Sequence, residues 1–249
     1  MLRVFMDLGH KKDKTDEVMN VASVIFQKDD YKLFRRPWEK MLFEWKASAF
    51  HATDFYPGGG EFKRDTPQRK ELFERHSKQI PLIIGRNIKR AQLVSFRPAE
   101  FMQMVPQKWK EQLGTDLHSH AVQMILILNG YWRMDQKPIP TFAYFKETGD
   151  DTEGEVSKAI SRMMQDKGPT GSLIGVSSFG LANKGTARGL EAADFLAWHW
   201  NKHYMDWVRP GRELEGRKDF NAFIKAANGR AECMFISGDR LKYFFSRQP

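Results

Sequence analysis

Apolar residues along the chain fall into two spacings: short runs suited to strands, and stripes at three- and four-residue intervals suited to helices. The run 2–6 is β-capable and stops at Asp7, with a turn-like segment over 9–14 behind it. The run 18–26, with Val21, Val24 and Ile25, is its predicted hairpin partner, which places Asp7 at a strand end. Pro37 is expected to open a helix whose Trp38, Met41, Leu42 and Trp45 form one stripe. His51 and Asp54 then stand three apart in an irregular segment that runs into Gly58-Gly59-Gly60. They are candidates for one pocket, although a turn Asp and a hydrogen-bonded His are the commoner explanation. Thr66 and Pro67 read as N-cap and first residue of a helix carrying Leu72, Phe73, His76 and Ile80, with His76 structural.

The second half continues the alternation. Residues 88–96 read as a strand, and 98–113 as a helical stretch broken by Pro106. Thr115 opens a helix faced by Leu117, Ala121, Val122, Ile125 and Leu128, on which His118 and His120 read as surface or boundary residues. Residues 141–146 give the best strand signal, and Glu147 closes it. The acidic loop 147–155 enters a helix striped by Val156, Ile160, Met163 and Met164, with Thr152 and Glu155 at capping-box spacing. A strand over 172–179, a late apolar helix, a helix over 214–227, a strand over 233–236 and a final helix capped by Asp239 complete the prediction.

The late helix stands out. Over 189–200, Leu190, Ala197 and Trp198 fall on the side of Asp194, while Ala192, Phe195 and Leu196 cover the other. A helix apolar all round is a core helix, and an ionised Asp inside one is costly unless paired, hydrogen-bonded or metal-bound. Asp194 therefore requires a partner from elsewhere in the chain. A structural salt bridge or a bond to a backbone donor satisfies that requirement as well as a functional site does.

Composition narrows the classes. Forty Lys plus Arg against 31 Asp plus Glu give +9, which favours polyanionic partners, although the basic residues are spread along the chain. The single cysteine, Cys233, excludes an intrachain disulfide framework, argues against a structural zinc site, and fits a reducing cytoplasm. The opening residues are too poor in apolar side chains for a signal peptide, and the run 121–128 is far short of a membrane span.

Three carboxylates now stand in complementary settings: Asp7 at the end of the first strand, Glu147 at the end of a central strand, and Asp194 inside the late helix. Two-metal phosphoryl chemistry needs carboxylate oxygens converging on Mg²⁺ or Mn²⁺ ions roughly 3.5–4 Å apart, and strand ends facing a helix supply such an arrangement. A divalent cation would also offset the desolvation of Asp194, and the positive net charge suits a nucleic-acid substrate. A small phosphorylated substrate is less favoured, because no Walker-type glycine loop is present.

Four segments, in order, resemble the domain of unknown function 3800 family: Phe5-Met6-Asp7-Leu8-Gly9, Phe50-His51-Ala52, Phe145-Lys146-Glu147-Thr148-Gly149-Asp150, and Leu190-Glu191-Ala192-Ala193-Asp194-Phe195-Leu196-Ala197. Members typically open with Asp-Glu-Ser-Gly after a strand, carry a His-Ala element, place a carboxylate after a later strand and end with Leu-Gln-x-Ala-Asp on a helix. The resemblance covers roughly residues 1–205 and implies a ribonuclease H-like α/β fold, a mixed β-sheet flanked by α-helices. It also implies a metal-dependent nuclease activity on DNA or RNA, with two Mg²⁺ or Mn²⁺ ions. Carried over, Asp7, Glu147 and Asp194 match the family's acids, and His51 its His-Ala element, where it is a candidate proton donor or phosphate contact. Leu8 replaces the usual Glu, Gly9 the usual Ser, and Glu191 the usual Gln, so Asp150 or Glu191 is the candidate fourth metal ligand.

The expectation is thus a single ribonuclease H-like domain over 1–249, with inserted helices and a helical C-terminal extension from about 207. Its rival is a catalytically inactive relative, in which Leu8 marks the loss of chemistry and the chain acts as a nucleic-acid-binding or protein-interaction module.

Overall fold

The computed structural model describes residues 1–12, 17–107, 110–111, 117–148, 154–166, 168–205, 217–236 and 238. Among them, one mixed sheet is built from β1 (Leu2–Lys12), β2 (Glu17–Phe26), β3 (Arg90–Phe96), β4 (Phe142–Glu147), β5 (Val176–Ala182) and β6 (Ala231–Ile236). The spatial order is β5-β4-β1-β2-β3-β6. β2 runs antiparallel to β1 and β3, whereas β4 is parallel to β1, β5 to β4, and β6 to β3. The helices are α1 (Lys28–Trp45), α2 (Ala52–Phe55), α3 (Pro67–Asn87), α4 (Pro98–Met104), α5 (Leu117–Met134), α6 (Glu155–Gln165), α7 (Pro169–Ile174), α8 (Arg188–His203) and α9 (Lys218–Ala227).

Alternation along the strands feeds two cores. Phe5, Ala22, Val24, Phe26 and Leu93 face one side, where they pack with α1, α3, α8 and α9. Val4, Met6, Val21, Ile25, Val94 and Tyr144 face the other, under α4, α5, α6 and α7. Because both faces are covered, β2 is buried on both sides from Val18 to Phe26, and even its polar Asn20 and Ser23 are inside. The chain is therefore α/β, a mixed sheet flanked by helices as expected.

Several local expectations change. β1 does not stop at Asp7: its pairing with β4 ends at Met6 opposite Lys146, but its ladder with β2 continues to Lys12 opposite Glu17. Asp7 is thus the first residue of β1 beyond the parallel partner. α1 begins already at Lys28, with Asp29 and Asp30 in the first turn where the helix dipole favours acids, and Pro37 lies inside it. Leu33, whose carbonyl Pro37 cannot bond, sits on the solvent side. The predicted strand over 172–179 is split, because α7 runs to Ile174 and Gly175, at φ 56°, stops it before β5.

Other positions follow similar logic. Thr66 caps α3 as expected, accepting the Arg69 N–H at 3.2 Å. Glu155 is the first residue of α6 behind Gly154, so it does not occupy the third position a capping box requires; Thr152 lies outside the described residues. His120 is fully buried against Phe101 rather than at a boundary, since α5 is apolar nearly all round. Asp150, Thr115, Asp239 and the start of the extension expected from about 207 lie outside the described residues. Beyond that start, α9 packs on α3, and β6 extends the sheet beside β3. Among the described residues, no helix is long and apolar enough to cross a membrane.

Candidate carboxylate and lysine site

The site forms where β4 and β5 end and β1 runs on past its parallel partner. Alternation puts Asp7 on the same face as Phe5, and Glu147 on the same face as Phe145, so both acids project towards α8. β5 ends at Ala182, and a turn over 183–187 leads into α8, with the Asn183 carbonyl accepting the N–H groups of Thr186 and Ala187. Lys184 sits in that turn. α8 lies directly on β1: a Cβ at Gly189 would fall 2.2 Å from Cδ2 of Phe5, so only glycine permits the approach. Asp194 is thereby brought down on to the strand ends.

Lys184 is the centre of the arrangement. Its Nζ lies 2.8 Å from Glu147 Oε2, 3.0 Å from Asp194 Oδ1 and 3.8 Å from Asp7 Oδ1. The four side chains are 6–21% exposed. The remaining oxygen of Asp194, Oδ2, accepts the Ala52 N–H at 2.7 Å, which ties α8 to the start of α2. Burial works against the charged ammonium, but Asp7, Asp194 and Glu147 outweigh it and hold the Lys184 pKa above its ordinary value. The partner that Asp194 requires is therefore present twice, as a lysine and as a backbone donor.

Asp7, Glu147 and Asp194 are brought together around Lys184, and Asp150 lies outside the described residues. Glu191 is fully buried one turn before Asp194, and it takes hydrogen bonds from Trp38 Nε1 and Arg188 Nη1. Arg188 also donates to the Ser48 carbonyl at 2.9 Å, so Glu191 braces α1, α8 and the segment before α2. Burial pushes its carboxyl up to about 7 despite the Trp38 and Arg188 bonds that favour the charged form. His51 is half-buried at the N-cap of α2 and makes no side-chain cap bond; its carbonyl accepts the Asp54 and Phe55 N–H groups. Asp54 serves the glycine turn, its carbonyl accepting from Gly58 and Gly59. His76 is structural, accepting from Trp45 Nε1 at 2.9 Å and facing Glu44.

The donor set suits a hard divalent cation, because three carboxylates from three elements converge on one point. Lys184 Nζ occupies that point, and among the described residues no three His, Cys, Asp or Glu side chains already form a metal cage. In open α/β sheets ligands bind at the carboxyl ends of the strands, and Glu147 ends β4 while Lys184 follows the end of β5. Fold and site together define an α/β protein with a buried acid and lysine cluster at the ends of parallel strands. No protein-family model matches the chain, and no curated protein matches it.

Proposed function

We propose that the chain is a divalent-metal-dependent nuclease of ribonuclease H-like type that hydrolyses phosphodiester bonds in DNA or RNA. The observation that carries this reading is the convergence of Asp7, Glu147 and Asp194, far apart in sequence, on Lys184. Among the described residues the three carboxyl groups share the Lys184 ammonium, and a divalent ion bound there would add positive charge. Mg²⁺ or Mn²⁺ held by Asp7, Glu147 and Asp194 would supply an activated water and charge compensation at the leaving oxygen.

The chain's own residues have distinct parts. The Ala52 N–H fixes Asp194 through Oδ2 and leaves Oδ1 turned to the shared point. Lys184 holds the acids together against mutual repulsion and, moved outward, presents an ammonium to a phosphate oxygen. His51, next to Ala52, is assigned proton transfer to the leaving oxygen. The excess of 40 Lys plus Arg over 31 acids supports a polyanionic substrate, and the free Cys233 in β6 agrees with a reducing cytoplasm.

The test is cleavage of single- and double-stranded DNA and RNA with Mg²⁺ or Mn²⁺, in the wild type and in Asp194→Asn. Activity abolished in the variant is the expected result; undiminished activity removes Asp194 from the mechanism. Lys184 itself favours a second reading, since an ammonium among three acids is also a complete structural ion cluster. The chain would then be a nucleic-acid-binding or protein-interaction module without turnover. Titration calorimetry separates the two: absence of divalent-ion binding at millimolar concentration, with nucleic-acid binding retained, selects the second.

A further inference from the structure

One turn beyond Asp194, on the same side of α8, stands Trp198. Tyr56, just past the end of α2, stacks on it with ring centroids 4.5 Å apart and planes at 12°. Phe73 of α3 meets Tyr56 edge-on at 6.4 Å. These rings line a cavity of about 330 Å³ together with Ser77, Lys202, Arg217 and Asp219. Tyr56, Phe73 and Trp198 are only half-buried, so this is an accessible recess and not sealed core.

The chemistry of the lining is mixed. The Arg217 guanidinium lies 5.1 Å and the Lys202 ammonium 5.9 Å from the Trp198 ring centroid. Behind the rings, His199 is fully buried edge-on to both Tyr56 and Trp198, and neither of its nitrogens has a hydrogen-bond partner among the described residues. The Tyr56 hydroxyl is likewise buried without a partner there.

We propose that this recess binds one unpaired nucleobase of a single-stranded nucleic acid, alongside the phosphodiester facing Asp194. Aromatic faces next to Arg and Lys are the combination that stacks bases and tracks a phosphate backbone. The volume lies at the small end of ligand clefts, roughly 300–1,000 Å³, which admits a single base and not a duplex. A base held in a duplex stack cannot reach into the recess lined by Tyr56 and Phe73, so the substrate is unpaired at this position. Four residues of α8 separate Trp198 from Asp194, a rise of about 6 Å, so the base and the scissile linkage are near neighbours. Asp219 at the rim accepts hydrogen from an amino or imino group of the base.

The inference rests on the nuclease reading for its scissile linkage, but its test is independent of turnover. Fluorescence anisotropy in EDTA compares a thymidine oligonucleotide, an abasic strand of equal length and a duplex. The thymidine strand is expected to bind about tenfold or more tightly than either competitor. Ser77→Phe, which fills the recess without removing a lining ring, is expected to erase that advantage, as is Trp198→Leu. Equal affinity for abasic and thymidine strands, or an advantage that survives Ser77→Phe, overturns the proposal. So does a free mononucleotide that competes as well as the strand, mole for mole. Asp194-dependent cleavage without base dependence would leave the nuclease standing and the base site refuted; base dependence without cleavage would do the reverse.

Discussion

Asp7 and Leu8 are adjacent in β1 and face opposite sides of the sheet. Asp7 turns to α8 and Lys184, whereas Leu8 packs with the core formed by Val4, Met6 and α5. The position where the resembled family carries a second acid therefore points away from the Lys184 cluster. A glutamate at position 8 would not join Asp194 in this arrangement, so the leucine there removes nothing from the three acids that do converge.

Replacing Lys184 with methionine should leave three acids facing one another in a partly dry setting. Breaking a buried ion pair costs about 3–5 kcal/mol, and urea unfolding at neutral pH is expected to show a loss of that order. Lys184 has a raised folded pKa, so its contribution is full below about pH 10.4 and is lost only above it, as pH climbs through the folded value. If the acids bind a divalent ion, millimolar Mn²⁺ should raise the melting temperature of Lys184→Met more than that of the wild type. No such difference would count against the metal site.

Glu191 gives the chain a second, separable pH dependence. Its carboxyl is raised from 4.5 to about 7, so the folded state prefers the proton more than the unfolded state does. The resulting stability is complete below about pH 4.5 and declines as pH rises through 7, by an amount on the order of 3 kcal/mol. Glu191→Gln keeps the acceptor for Trp38 and should flatten this decline. Urea midpoints between pH 4 and 8 would decide it: parallel slopes in variant and wild type would show that another group is responsible.

Gly189→Ala tests the seating of α8. The added methyl would meet the Phe5 ring at 2.2 Å, and relieving that overlap moves the helix off β1. Overpacking of this kind costs about 1–3 kcal/mol, and any nuclease activity should fall with it because Asp194 travels with the helix. A variant within about 0.5 kcal/mol of wild type, with unchanged activity, would show that the contact is soft.

Much of this was legible in the residues. The hairpin, the Thr66 cap, the strand closed by Glu147 and the buried helix around Asp194 follow from local periodicity and capping, which depend on near neighbours. The need for a partner to Asp194 was legible too, but its identity was not. Lys184 lies in a short turn, and among 40 Lys plus Arg nothing in its immediate neighbours separates it from a solvated surface cation. The one available clue was charge, since an acid in an apolar helix asks for a cation before it asks for more acids. Pro37 misled because proline suits the first turn of a helix and is also tolerated on an outer face. Gly175 hid a helix end, because its left-handed conformation, not the hydrophobic pattern, divides α7 from β5.

The alternation that carries Asp7 to α8 has a further consequence for how the chain finds its fold. A slip of β1 by one residue against β2 or β4 would swing Asp7 into the apolar side, away from Lys184, and drive Met6 or Leu8 towards the ion cluster. Both errors are costly, whereas a sheet lined only by apolar residues would tolerate either alignment with little penalty. The buried charges thus act as a registration mark, and they penalise misaligned sheets before any ligand arrives.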